Sequence, residues 1–120
     1  IYIHADKFAL TNVVANLIEN AIKYSPKEAE IDVRLYRESP ESPIVFSVAD
    51  QGTGIDTKEK KRIFNKFYRI GNESTRKTKG TGLGLYIVKT VLEKHKAQIK
   101  VKDNVPAGSI FEVTFNAYAD

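Results

Sequence analysis

Asn16-Leu17-Ile18-Glu19-Asn20-Ala21-Ile22-Lys23-Tyr24-Ser25 carries two patterns on one helix. Leu10, Val13, Val14, Leu17, Ile18, Ala21 and Ile22 recur at the spacing of an amphipathic helix, with Asp6 placed to cap its start and Pro26 to stop it. On the opposite side, at 100° per residue, Asn12, Asn16, Asn20 and Lys23 fall within about a sixth of a turn of Asn16, with Glu19 beside them. Two side-chain carbonyl oxygens one turn apart suit a hard cation, magnesium above all, and Lys23 on the same side suits a phosphate. An exposed polar face has the same composition, and the stripe alone leaves both readings open.

Outward from this helix, Ile31, Val33 and Leu35 alternate with charged residues and Ile44 to Ala49 is a short apolar run. The spacing predicts two strands joined by the polar loop Glu38 to Pro43. Asp56 and Glu59 are placed to cap a shorter second helix running towards Phe64. Gly71 to Arg76 has no periodic apolar pattern and is expected to be mobile. A third helix is expected from Thr81 or Gly82, with Leu83, Ile87, Val88, Val91 and Leu92 on one face. Two closing strands, near Ile99 to Val101 and Ile110 to Phe115, flank the turn Asn104 to Gly108. With an opening strand at Ile1, the expectation is an α+β two-layer sandwich: a mixed sheet of about five strands under three helices.

Composition sets the limits. The 120 residues, 42% hydrophobic, suit one domain with one core. No apolar run is long enough to cross a bilayer, and no basic-then-apolar leader begins at Ile1. Without Cys there is no disulfide framework or thiolate metal site, which is compatible with a reducing compartment. The net charge of +4 is uneven: Lys58 to Lys79 carries nine Lys or Arg against Glu59 and Glu73, so that window is +7 and the remainder −3. Such a field suits a polyanion such as a triphosphate, and equally a solvated face or an acidic or nucleic-acid partner.

Two glycine stretches complete the set, Asp50-Gln51-Gly52-Thr53-Gly54-Ile55 and Gly80-Thr81-Gly82-Leu83-Gly84-Leu85. Asp50 ends a strand before glycines that let the backbone turn and a planar ligand approach, and its carboxylate can accept from an exocyclic amine. Asp and Gly are also ordinary turn residues. Gly80, Gly82 and Gly84 open a helix, where unblocked N–H groups and the helix dipole favour an anion. Other glycine signatures fail: position 85 is Leu, so G-x-G-x-x-G is broken, and neither GxxxxGK[ST] nor the protein-kinase set occurs. No hydrolase triad is suggested, and His4 and His95 read as surface or structural residues.

Asn16 to Ser25, Asp50 to Ile55, Phe64-Asn65-Lys66-Phe67-Tyr68-Arg69 and Gly80 to Leu85 resemble the N, G1, F and G2 boxes of the catalytic ATP-binding domain of sensor histidine kinases, in order and at the usual separations. The resemblance spans Asp6 to Phe115 and implies the Bergerat fold, with ATP between the helical layer and a lid at about 70–79. It further implies that Asn20, assisted by Asn16, ligates magnesium, that Asp50 reads the adenine amine, and that Lys23, Tyr24 and Arg69 face the phosphates. Gly52, Gly54 and Ile55 give the adenine room. Lys79, Gly80, Thr81, Gly82, Leu83 and Gly84 shape the lid hinge and phosphate contact, and Phe64 and Phe67 anchor the lid's base. Gln51 stands where Asn is commoner, a slight departure, and Lys66 occupies a position where other charged residues also occur.

Related ATPases carry a general-base Glu four residues before the metal Asn, where this chain has Asn16. An amide takes no proton from water at neutral pH, whereas a histidine ring is already nucleophilic, so the resemblance favours phosphoryl transfer to histidine. Asn16, Asn20, Lys23 and Arg69 are then the catalytic set. The acceptor is expected on a preceding dimerising helical hairpin absent from this chain, and neither His4 nor His95 matches it. The implied setting is the cytoplasmic part of a bacterial inner-membrane sensor kinase acting with a response regulator, the isolated domain being monomeric and without a nucleic-acid partner. An ATPase of the same superfamily and an ATP-gated protein-binding module are the alternatives; a nucleic-acid binder ranks below both.

Overall fold

The computed structural model describes residues 5–66, 68 and 84–116. The helix α1 spans Lys7–Tyr24. Asp6 caps it as expected, its side chain accepting from the Phe8 and Ala9 N–H groups, and Ser25 closes it with its own N–H on the Ala21 carbonyl. Pro26, one residue further, cannot continue the ladder. Strands β1 (Asp32–Tyr36) and β2 (Ile44–Ala49) follow as a hairpin, then α2 (Gly84–Lys94), β3 (Ala97–Asp103) and β4 (Ser109–Phe115).

The four strands lie in the order β1-β2-β4-β3, and every pairing among them is antiparallel. The mixed character expected of the sheet is therefore not found among the described residues, and the opening strand falls at Ile1 to His4, outside them. Register builds apolar rows across the sheet: Val33, Val48, Phe111 and Val101 in one, Leu35, Phe46, Val113 and Ile99 in the next. Helix α1 packs on α2 and over β2, and α2 lies over β3, so the β2, β3 and β4 members of these rows meet Val13, Leu17, Ala21, Val88 and Leu92 in one core. Burying a side chain such as Phe111 contributes about 1.5–3 kcal/mol.

Three expectations are corrected. The segment towards Phe64 is not an α-helix but two short 3₁₀ turns, Thr57–Glu59 and Arg62–Phe64, and Asp56 makes no side-chain cap. Its sequence supplies only Ile63 and Phe64 for burial, too few for a helical stripe, and Phe64 fixes the turn by packing edge-on against Phe111 at 6.3 Å. Strand β1 alternates but buries nothing, because α1 and α2 sit over the other strands; Val33 is 46% and Leu35 57% exposed. On α1, Ile22 at 61% lies off the buried face, as Ile87 does on α2 at 45%. The start of the third predicted helix, at Thr81 or Gly82, lies outside the described residues, as does Gly71 to Arg76, the segment expected from the sequence to be mobile.

His95 is structural. Its Nε2 accepts from the Asp6 N–H at 3.0 Å, and its Nδ1 lies 2.8 Å from the Val91 carbonyl, so the neutral ring with the proton on Nδ1 ties the end of α2 to the start of α1. His4 lies outside the described residues.

Candidate functional site

The asparagine stripe of α1 begins where α2 begins. Asn16 donates from Nδ2 to the Asn12 carbonyl at 2.9 Å, and its Oδ1 accepts no hydrogen bond from the described residues. That oxygen faces Gly84, where an added Cβ would stand 3.3 Å from it. Asn16 and Asn20 are half-buried, whereas Lys23 and Tyr24 are exposed. Among the described residues no three His, Cys, Asp or Glu side chains group as metal ligands. A cation at this stripe would thus take amide oxygens and complete its shell with water and substrate, and the freed Asn16 Oδ1 beside a residue without a side chain fits that demand.

At the other end of α1 the glycine loop after β2 closes on the helix terminus. A Cβ on Gly52 would collide with the Tyr24 carbonyl, so the loop meets the helix backbone to backbone. The Gln51 N–H donates to Ser25 Oγ at 3.1 Å. From Asn16 to Tyr24 is eight residues, about 12 Å along the helix, with Asn20 midway. One helix face therefore joins the start of α2 to the Asp50 loop.

Asp50 is 3% exposed. Its Oδ1 accepts from the Gly52 N–H at 2.9 Å and the Ser109 N–H at 3.1 Å. Its backbone N–H donates to the Ser109 carbonyl at 2.8 Å, and its carbonyl accepts from Asn104 Nδ2 at 2.7 Å. No hydrogen bond from the described residues reaches Oδ2. With Oδ1 fixed by two main-chain donors, Oδ2 is an oriented acceptor that a ligand donor could use.

Ser25, Asn104, Gly108 and Ser109 were given no part in the site by sequence reasoning. Gly108 has φ +102°, and a Cβ there would collide with the Asp50 carbonyl. The turn before β4 was legible as a turn, but only the β2–β4 register brings it against Asp50. Of the other sequence-predicted site residues, Gly54 has φ +80° in the same loop and Ile55 packs against the core. Phe67, Arg69, Lys79, Gly80, Thr81, Gly82 and Leu83 lie outside the described residues, and so does 70–79, where the resemblance implies a lid. Part of the basic window is committed elsewhere: Lys60 pairs with Asp103 at 2.8 Å, and Lys66 lies 5.9 Å from the centre of the Tyr86 ring. A hollow of about 670 Å³ opens where Asp32, Arg34, Ala49, Gln51 and Asn104 meet, but Asp32 and Arg34 there satisfy each other at 2.7 Å.

The fold is that of the catalytic domains of sensor histidine kinases. A mycobacterial sensor histidine kinase, MprB, has a solved structure of the same fold, with a TM-score of 0.80 and 33% identity over 93% of this chain and 72% of that one. Full-length ShkA, solved in complex with AMPPNP, gives a TM-score of 0.76 and 26% identity over 97% of this chain and 23% of that one. Sensor protein CiaH of Streptococcus pneumoniae is 39% identical over 108 residues, 90% of this chain. Residues 5–119 match the family described as histidine kinase-, DNA gyrase B- and HSP90-like ATPase, and the chain belongs to it. It spans 24% of the length of CiaH. No helix among the described residues is long and apolar enough to cross a membrane.

Proposed function

We propose that this domain binds ATP with magnesium along the asparagine face of α1 and transfers the γ-phosphoryl group to a histidine on a separate dimerisation and phosphotransfer hairpin. The observation that carries the reading is Asp50, a buried carboxylate with one oxygen held by two backbone N–H groups and the other reached by no donor among the described residues. An adenine exocyclic amine could supply that donor. Asn16 and Asn20 would hold the cation, Asn16 through the Oδ1 that lies beside Gly84. Magnesium, when bound, neutralises charge on the phosphate oxygens. Lys23 would add a positive charge on the same face, with Arg69 and Lys79 as further cations from the sequence.

Phosphoryl transfer needs positioning and charge neutralisation more than covalent assistance, and the α1 face supplies amide and ammonium groups for both. With Asn16 in place of a carboxylate, the face has no base at the position where related ATPases carry one, which supports a histidine acceptor over water. The hairpin would belong to a longer sensor kinase, its catalytic segment cytoplasmic, whose phosphohistidine serves a response regulator. The test is to mix this chain, the separate hairpin and γ-labelled ATP with magnesium. Label on the hairpin histidine is expected; free phosphate without labelled protein would show an ATPase instead.

A further inference from the structure

We infer that Ser25 and Asn104 are positioning residues for Asp50, clamping the Asp50–Gln51 peptide by its two polar ends. The consequence for base recognition rests on the ATP reading above; the clamp itself does not. The carbonyl of that peptide accepts from Asn104 Nδ2 at 2.7 Å, and its N–H donates to Ser25 Oγ at 3.1 Å. One peptide plane is thus held from both sides by side chains that lie 79 positions apart in the sequence.

Neither clamp is free to drift. Asn104 donates its backbone N–H to the Gly108 carbonyl at 3.0 Å and accepts the Val105 N–H on Oδ1 at 2.9 Å, so both halves of its amide are committed. Ser25 is fixed by its N–H on the Ala21 carbonyl at the end of α1. The next peptide donates the Gly52 N–H back to Asp50 Oδ1 at 2.9 Å. Rotating the clamped plane would carry that N–H away and leave Ser109 alone to orient the carboxylate. The direction of Oδ2 therefore depends on two residues that contact only backbone. Because Ser25 follows Lys23 and Tyr24 directly, the clamp also ties the carboxylate to the helix that carries Asn16 and Asn20.

The test uses the 120-residue chain and compares dissociation constants for ATP and inosine triphosphate, which has a carbonyl where adenine has its amine. Asn104→Asp keeps the shape and the Val105 bond but removes the donor; Ser25→Ala removes the acceptor; Ser25→Thr retains it. The wild type is expected to prefer ATP, with the preference reduced roughly 3–10-fold in Asn104→Asp and in Ser25→Ala and restored in Ser25→Thr. Without nucleotide, amide exchange of Gly52 should quicken in the first two variants and not in the third. Undiminished preference together with unchanged Gly52 exchange in both would overturn the clamp. If the wild type binds neither nucleotide, the ATP reading falls instead, and Gly52 exchange alone then decides the clamp.

Discussion

Ser109 donates its backbone N–H to Asp50 Oδ1 across 59 residues of chain, at 3.1 Å. The bond exists because β2 and β4 pair with Ala49 opposite Ile110, which sets the residue after one strand beside the first residue of the other. A main-chain donor cannot be removed by changing the Ser109 side chain, so this one of the two anchors on Oδ1 is built into the sheet.

Asp50→Asn therefore keeps an oxygen for the two N–H groups and places an amide NH₂ where Oδ2 stood. Two donors would then face each other across the site. ATP affinity should fall roughly 10–100-fold, the loss expected for a hydrogen bond to a charged group, with an unchanged unfolding midpoint in urea. Calorimetric titration with ATP checks it, and wild-type affinity in the variant refutes the assigned role.

Asn20→Leu should remove the magnesium dependence of nucleotide affinity. The wild type is expected to bind ATP more weakly in excess chelator; the variant should bind equally with and without the ion. A variant that still responds to magnesium as the wild type does would place the cation elsewhere.

Gly52→Ala and Gly108→Ala should each destabilise the domain by about 1–3 kcal/mol, since in both the new Cβ collides with a backbone carbonyl. For Gly108 a φ of +102° adds strain that no side-chain movement relieves. Chemical denaturation measures both, and a midpoint equal to wild type in either would mean that the loops do not meet as described.

Phe111→Ala should cost about 3–5 kcal/mol, because the ring is fully buried and carries Phe64 with it. Val33→Thr, on the same cross-sheet row but uncovered, should change stability by no more than about 0.5 kcal/mol. The contrast tests which strands the helices cover: comparable losses at the two positions would require something over β1 that the described residues do not contain.

Much of this architecture was readable along the chain because it is local. A cap at Asp6, a stop at Pro26, a period of 3.6 in α1 and alternation in the strands each follow from the preferences of neighbouring residues, and so does the asparagine stripe, which is a property of one helix. Where local signals were thin they misled. The stretch before Phe64 offered capping residues but no apolar stripe, and it formed two 3₁₀ turns; β1 had alternation but no helix above it, and stayed exposed.

What the tertiary structure alone decided is the surroundings of Asp50. A carboxylate beside two glycines can be a turn or an acceptor, and nothing within a few residues shows what encloses it. The enclosure comes from Ser109, Asn104, Gly108 and Ser25, which reach Asp50 and its following peptide through strand register and through contact between a helix end and a loop. Sequence determines which groups a segment can offer; their separation in space depends on how distant segments pack, because hydrogen bonds of about 3 Å tolerate no approximation in that packing.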